Sequence, residues 1–317
     1  MATALGMDAN PIIGDKRSIK GGRASNGEAR RDSRSLGYAL TWALPLPLWQ
    51  LVFFIAPLLF LAALTFWTVQ SFRLVPDFDS VNWVKVYGAS FFLDAFLRTF
   101  VLACSASIVL SALAFPASYF IAFCLTPPMR RLAVYLLITP FFTSYLVRVY
   151  TWQAFLSDTG LVNSALSAFG LPSVTMLNSL FGAFVGYATL CLPLIVLLQF
   201  MSLVNIDRST IEAARNLGCR PFRTVFAVVI PSGRVGIVLG AVFCFILTFG
   251  DFISPTYLGG GNPPTLAILI TDFTKSGNQW PRAAVVAATM VVTLILVAFL
   301  AVRFAYKSRK SSHAVDR

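Results

Sequence analysis

The chain of 317 residues is 57% hydrophobic and only 12% charged, and its formal net charge is +12. Because soluble domains carry about 25% charged residues, this composition excludes an ordinary soluble fold and indicates a protein of the lipid bilayer. In a membrane protein, a positive net charge reflects orientation more often than nucleic-acid binding. The single histidine, His313, lies in a polar C-terminal segment, and neither a CxxC nor an HExxH pattern occurs, so we expect no metal site.

Six apolar segments follow a polar N-terminal region. Residues 1–40 are rich in Gly, Ser, Arg, Asp and Asn, which predicts a disordered tail. A membrane helix needs about 20 apolar residues, and the segments that meet this need lie at about 44–69, 99–125, 132–155, 179–204, 235–257 and 283–302. The sequence therefore predicts an all-α integral membrane protein, with a six-helix transmembrane domain over residues 41–306 and a short tail over residues 307–317.

The basic residues indicate how the helices are oriented. Most of the 25 Lys and Arg residues lie in the N-terminal tail, in the loops 126–131 and 207–234, and after the last helix. These segments share one side of the membrane, so the positive-inside rule places both termini in the cytoplasm. We find no internal repeat, and six helices do not easily form both walls of a substrate path. A second copy or a homologous partner is therefore expected.

The loop 205–234 is a charged interlude between two apolar runs. Either Asp207 or Ser209 can cap a short helix there. Gly218 can adopt the left-handed backbone conformation that ends such a helix, and Pro221 suits the start of a second one. The loop is thus predicted to form a short helical hairpin on the cytoplasmic side.

The first helix of this hairpin has the features of a docking surface. Glu212 is the only glutamate outside the N-terminal tail, and it offers a carboxylate to a cationic partner. Ala213 and Ala214 are small enough to allow close approach by another protein. An ordinary solvated surface helix carries similar charges, so the residues alone leave both interpretations open.

The spacing within the loop resembles a known motif. Glu212-Ala213-Ala214 is followed by Gly218 and then by a Val-Val-Ile-Pro run that ends at Pro231. This arrangement is similar to the EAA motif of the membrane subunits of binding-protein-dependent ABC importers: EAA, three residues, Gly, nine residues and Ile-x-Leu-Pro. In the final run, valine and isoleucine stand where the motif has isoleucine and leucine.

Three other segments resemble the spermidine/putrescine permease branch of that family. They are TPFFTSYLVRVYTW at 139–152, DTGLVN at 158–163 and GDFISPTYLGG at 250–260. The likeness extends over residues 45–305, roughly, and leaves out the N-terminal tail.

The resemblance implies a type I ABC importer permease fold with a cytoplasmic coupling helix. Glu212, Ala213, Ala214, Gly218 and Pro231 would form the surface that couples the permease to a cytoplasmic ATPase. Two ATPase subunits would hydrolyse ATP with Mg, so this chain is expected to hold no cofactor and to be no enzyme. The expected partners in the bacterial inner membrane and periplasm are a second, similar but different permease and a substrate-binding protein.

Two charged residues lie within predicted helices. Arg148 and Asp251 each follow sixteen uncharged residues, roughly 24 Å of helix, and would lie near the outer edge of the hydrocarbon layer. Snorkelling of Arg148 and exposure of Asp251 at a helix end is one interpretation. In the other, both line an outer vestibule, where Asp251 either attracts a cationic substrate or pairs with Arg148 as a gate latch.

Aromatic residues alternate with these charges, and aromatic faces can hold an organic cation. The candidates for the substrate path are Phe142, Tyr145, Tyr150, Trp152, Phe249, Phe252 and Tyr257, although packing at the lipid interface explains any single ring equally well.

The branch suggests a polyamine such as putrescine or spermidine, but one acid of the family pattern is missing, because Thr256 occupies the place of a second glutamate. Another small cation, an amino acid or an organophosphonate remains an alternative substrate. An ion-coupled secondary carrier is an alternative class of protein.

Overall fold

The computed structural model describes residues 44–70, 73–275 and 278–307. The predicted N-terminal tail lies outside the described residues, and so does the predicted C-terminal tail beyond Lys307. The chain divides between Phe60 and Leu61 into two compact units, which we describe separately.

In the first unit, the described residues belong mainly to helix α1 (Pro45–Leu64). One π-helical turn, Leu51–Ile55, precedes Pro57. Proline has no amide hydrogen and its ring crowds the carbonyl four residues earlier, so the helix widens just before it. All side chains from Leu44 to Phe60 are exposed, as expected of an apolar helix whose natural surroundings are lipid.

The second unit contains a small hairpin and a helical bundle. Strand β1 (Thr68–Gln70) pairs antiparallel with β2 (Arg73–Val75). The helices described after the hairpin are α2 (Val81–Tyr87), α3 (Ser90–Cys124), α4 (Pro127–Ile138), α5 (Tyr145–Leu156), α6 (Leu161–Ala168), α7 (Leu180–Leu203), α8 (Arg208–Asn216), α9 (Pro221–Phe249), α10 (Ile253–Tyr257), α11 (Leu266–Lys275) and α12 (Trp280–Lys307).

Five of these helices are long and apolar enough to cross a membrane. They are α1, α3, α7, α9 and α12, and they match the first, second, fourth, fifth and sixth predicted segments. The fifth differs most from its prediction, since α9 begins at Pro221 and not near residue 235. The predicted second helix of the hairpin and the fifth membrane helix are therefore one continuous helix.

The third predicted segment is not a single helix, and the prediction of an unbroken span over residues 132–155 is wrong. The chain forms α4, continues as a 3-10 turn over Thr139–Phe142, and starts α5 at Tyr145. The two halves, Pro127–Phe142 and Tyr145–Ala168, are bent by 93°. Counting this bent pair as one broken span gives six spans in the described residues.

The bundle is closely packed where α9 meets α7. A Cβ atom on Gly236 would lie 2.7 Å from the carbonyl oxygen of Leu198, and a Cβ atom on Gly233 would lie 2.6 Å from Leu203. Glycine at these positions lets the two helix backbones approach closely, as is common in membrane helix pairs. Further out, α3 packs against the same two helices through a shared apolar core.

A buried polar network joins α3 to α7. The fully buried Gln199 donates to the carbonyl oxygen of Ser111 at 3.0 Å and to its hydroxyl at 2.9 Å. Its own amide oxygen accepts a hydrogen bond from Ser118 at 3.2 Å. Every polar atom of this amide side chain therefore has a partner away from water, and the pairing fixes the register of the two helices.

Candidate functional site

The loop 205–234 contains a well-capped short helix, α8. The Asp207 carboxylate accepts a hydrogen bond from the backbone N–H of Ser209 at 3.0 Å, so of the two predicted caps Asp207 is the one used. This hydrogen bond holds the pKa of Asp207 below its usual value, because it favours the charged form. Ile211 is the buried residue of α8 and anchors the helix to the bundle.

Gly218 ends α8 in the predicted manner. Its φ angle is +82°, in the left-handed region. The N–H of Cys219 bonds to the carbonyl oxygen of Ala214 at 3.1 Å, and the N–H of Gly218 bonds to that of Arg215 at 2.9 Å. These two bonds define a Schellman motif, in which glycine avoids the strain that a side chain would bring.

The surface of α8 is open to a partner. Glu212 and Ala213 are exposed, and Ala214 is half-buried. Glu212 and Arg215 line a cavity together with Tyr119 and Phe123 from the end of α3. Two large apolar side chains beside the helix are strongly exposed as well: Leu217 at 86% and Phe222 at 83%.

Pro231 lies in α9 and is exposed. A π-helical turn, Val225–Val229, comes just before it, for the same reason as at Pro57 in α1. The helix then continues to Phe249 without a further break. A short turn over residues 217–220 thus joins α8 to one continuous helix that packs within the bundle.

At the other end of α9, Asp251 is buried and not exposed at a helix end. Its side chain is 8% exposed. One carboxylate oxygen accepts the N–H of Ile253 at 2.9 Å, and the other accepts the hydroxyl of Tyr145 at 2.7 Å and the N–H of Ser254 at 3.3 Å. The chain's own donors therefore satisfy this carboxylate.

Arg148 and Asp251 do not form the predicted pair in the described structure. The guanidinium of Arg148 donates to the carbonyl oxygen of Thr189 in α7 at 2.8 Å. Its central carbon lies 5.9 Å from the centre of the Tyr145 ring. Arg148 thus reaches the Asp251 cluster only through Tyr145.

The predicted aromatic candidates fall into different environments. Phe142 is 86% exposed, whereas Phe249 is fully buried and stacks on Phe245 at 5.3 Å. Tyr150 and Tyr257 meet edge to face at 5.1 Å and join α5 to α10. Trp152 is exposed, at 37%, and its partner in α5 is Phe155 at 6.1 Å.

Sequence reasoning missed Ser254 and Thr189. Ser254 is fully buried, and its hydroxyl contacts the hydroxyl of Tyr145. An aspartate shortly before a helix is a capping signal, but it marks Asp251 and does not predict the contact of Ser254 with Tyr145. Thr189 acts through its carbonyl oxygen, which any residue type provides, so no side-chain pattern marks it.

Comparisons with known proteins agree with the resemblance. No family model matches the chain. It is 29% identical over 283 residues to the inner membrane ABC transporter permease protein YdcU of Escherichia coli, covering 84% of this chain and 88% of that protein. It is 26% identical over 252 residues to the spermidine/putrescine transport system permease protein PotB of Escherichia coli, covering 78% of this chain and 91% of that protein.

Another relative has a differently described substrate. The chain is 27% identical over 262 residues to a 2-aminoethylphosphonate transport system permease protein, PhnU, of Salmonella paratyphi A, which is itself described as putative; the match covers 76% of this chain and 86% of that protein.

The fold is shared with solved ABC importers. A structure of a bacterial ABC transporter that imports the acidic polysaccharide alginate matches with a TM-score of 0.72 at 16% identity, over 88% of this chain and 99% of that chain. A second structure matches with a TM-score of 0.66 at 16% identity, over 86% of this chain and 94% of that chain. It is a bacterial alginate transporter in complex with an alginate pentasaccharide-bound periplasmic protein.

These findings define the class of the protein. The chain has the fold of ABC importer permeases, it is similar in sequence to ABC transporter permease proteins, and its described helices can cross a membrane five or six times. Two of the relatives are spermidine/putrescine transport system permease proteins, from Escherichia coli and Haemophilus influenzae.

Proposed function

We propose that this chain forms half of the transmembrane path of an ATP-driven importer for a small organic solute. The observation that carries the proposal is the loop 205–234: α8 is capped at both ends, exposes Glu212 and Ala213, and leads directly into the membrane-crossing helix α9. Only residues 217–220 separate α8 from α9, so a force applied to α8 from the cytoplasm would reach the bundle through a short turn.

A soluble ATPase pair is the proposed source of that force, with ATP and Mg bound in those partner subunits. Glu212, Ala213, Ala214 and Gly218 would form the docking surface together with Pro231, which lies within α9. The exposed apolar residues Leu217 and Phe222 support the docking role, because large apolar side chains beside a small polar helix mark interaction surfaces.

A second permease and a periplasmic binding protein would complete the complex. Six spans do not enclose a path on their own, and many large apolar side chains of the described spans are exposed. The similar alginate transporter was solved with its periplasmic protein bound, which supports this kind of partner. We propose that the second permease is similar to this chain but not identical to it. The complex would lie in a bacterial inner membrane, with both termini of this chain in the cytoplasm.

A polyamine is the substrate that the relatives support best, since several of them are spermidine/putrescine permease proteins. Exposed rings such as Phe142 and Tyr150 suit an organic cation. Asp251 does not contribute a free carboxylate in the described conformation, so the anionic ends that a dication needs would have to come from elsewhere in the complex.

An aminophosphonate is a second candidate, and the arginines favour it. Arg98, Arg148 and Arg282 each have a buried Nε atom without a hydrogen-bond partner among the described residues. The acid among the predicted path residues, Asp251, is already satisfied. Arginine Nε–H groups without a partner suit a phosphonate better than they suit a second ammonium group.

Two experiments test the proposal. In the first, the chain is reconstituted in liposomes with its ATPase, partner permease and binding protein. We expect substrate uptake only when ATP and all components are present. Uptake by the chain alone, driven by a sodium or proton gradient, would instead establish a secondary carrier. Calorimetry of the binding protein with putrescine, spermidine, amino acids and 2-aminoethylphosphonate then identifies the substrate, and binding of none of these would overturn both substrate candidates.

A further inference from the structure

The hydrogen bonds around Asp251 join three separate elements of the bundle. Asp251 follows the end of α9 by two residues, Tyr145 is the first residue of α5, and Ser254 lies in α10. Because the Tyr145 hydroxyl donates its proton to Asp251, the contact with Ser254 uses the Ser254 hydroxyl as donor. The result is a directed chain from Ser254 to Tyr145 to Asp251.

Ser254 is fixed in turn against a fourth element. It is fully buried, and a Cβ atom on Gly186 of α7 would overlap its side chain. The contact between Tyr150 and Tyr257 holds α5 and α10 together one turn further on. Tyr145 is therefore the one side chain of α5 whose polar group reaches the junction of α9 and α10 among the described residues.

The position of this junction relative to α8 suggests what it does. Helix α9 has 29 residues, or about 43 Å at 1.5 Å per residue. One end carries the loop with Glu212 and the other end carries Asp251. Tyr145, in contrast, is the first residue after the 93° break in the third span, so it belongs to a different part of the chain. A displacement of α9 along or about its axis therefore changes the distance between Asp251 and Tyr145.

We infer that Tyr145, Asp251 and Ser254 form a lock that holds α5 against α10 in the resting state of the transporter and opens when α9 moves. Asp251 is then a positioning residue and not a cation-binding group. The inference rests on the proposed function, because the movement of α9 must come from an ATPase bound at α8.

Tyr145→Phe tests the lock with the smallest change, since it removes the hydroxyl and keeps the ring. The measurement is ATP hydrolysis by the complete reconstituted complex without binding protein. We expect a rise of about tenfold, the factor by which losing a hydrogen bond to a carboxylate shifts a two-state equilibrium. Tyr135→Phe is the matched control, because Tyr135 is 67% exposed and lies outside the lock.

A double-mutant cycle shows whether the residues act as one unit. Asp251→Asn keeps an oxygen that can cap α10 but no longer accepts the Tyr145 proton as a carboxylate does. Tyr145→Phe and Asp251→Asn combined should raise the rate no further than the larger single effect. A merely structural role would instead lower the yield of complex and both the basal and the stimulated rates together.

Two results overturn the inference: a basal rate in Tyr145→Phe equal to or below that of the wild type and Tyr135→Phe, or fully additive effects of the two substitutions. Failure of the proposed function looks different. In that case the wild-type complex itself shows no ATP-dependent uptake, whereas a failed lock leaves wild-type uptake intact.

Discussion

At the scale of single residues, the molecule uses glycine and aspartate where backbone geometry demands them. Asp207 caps α8 by accepting one backbone N–H group, and Asp251 accepts two backbone N–H groups at the start of α10. Gly218 ends α8 with a positive φ. The capping role of Asp207 and the turn at Gly218 were predictable, because both depend on local geometry alone. The burial of Asp251 was not, since it depends on Tyr145, which is 106 residues away in the chain.

Gly218→Ala should weaken binding of the ATPase. Alanine in the left-handed region costs about 1–2 kcal/mol, so the Schellman turn would loosen and α8 would lose its fixed orientation. Gly170→Ala is the matched control, because Gly170 also has a positive φ, +72°, with nothing near its missing side chain, and lies outside the loop. Both variants should lose similar thermal stability, and only Gly218→Ala should bind the ATPase more weakly in a pull-down titration.

The cap at Asp207 should respond to acid. Its pKa is lowered by the Ser209 N–H, so its contribution to helix stability is present above the ordinary aspartate pKa and is lost as the pH falls through the lowered value. Hydrogen exchange at the Ser209 amide should speed up at that point beyond the intrinsic pH dependence. Asp207→Asn, which caps without a charge, should show no such step; an identical step in this variant would contradict the assignment.

At the scale of elements, five spans were predictable from apolar length and the break in the third was not. Hydropathy averages over a window, and residues 132–155 remain apolar through the bend. The start of α9 was missed for a related reason: Arg234 bounds the apolar segment, but a helix does not have to begin where the apolar residues begin. Charge patterns predict membrane boundaries, whereas hydrogen bonding decides helix boundaries.

The close contact between α7 and α9 gives a prediction for packing. Gly236→Ala should destabilise the protein by about 2 kcal/mol, because its Cβ would meet a backbone carbonyl and the helices must move apart. Gly240→Ala is the control: its Cβ would lie 3.2 Å from a methyl group of Ile195, which can adjust. Unfolding by denaturant in detergent measures the stability of both variants, and equal losses of stability would refute the packing argument.

At the scale of the whole molecule, one continuous helix, α9, links two sites of different character. The end near α8 is polar and open, whereas the end near Asp251 is buried and hydrogen-bonded. Such a division suits a subunit that is driven from one side of the membrane and controls access on the other. The EAA spacing predicted the permease fold that the solved importers share, but the substrate could not be predicted, because in the proposed importer other chains complete the path.

The most direct test of the account is the ratio of ATP hydrolysed to substrate imported in the complete complex carrying Glu212→Arg. The substitution reverses the charge at the centre of the proposed docking surface. We therefore expect import to fall at least tenfold and the ratio of ATP hydrolysed to substrate imported to rise, while the fold and the amount of permease in the membrane remain unchanged. Asp158→Arg makes the same change at an exposed acid outside the loop and should import normally. Wild-type import and an unchanged ratio in Glu212→Arg would contradict the claim that α8 receives the force of ATP hydrolysis.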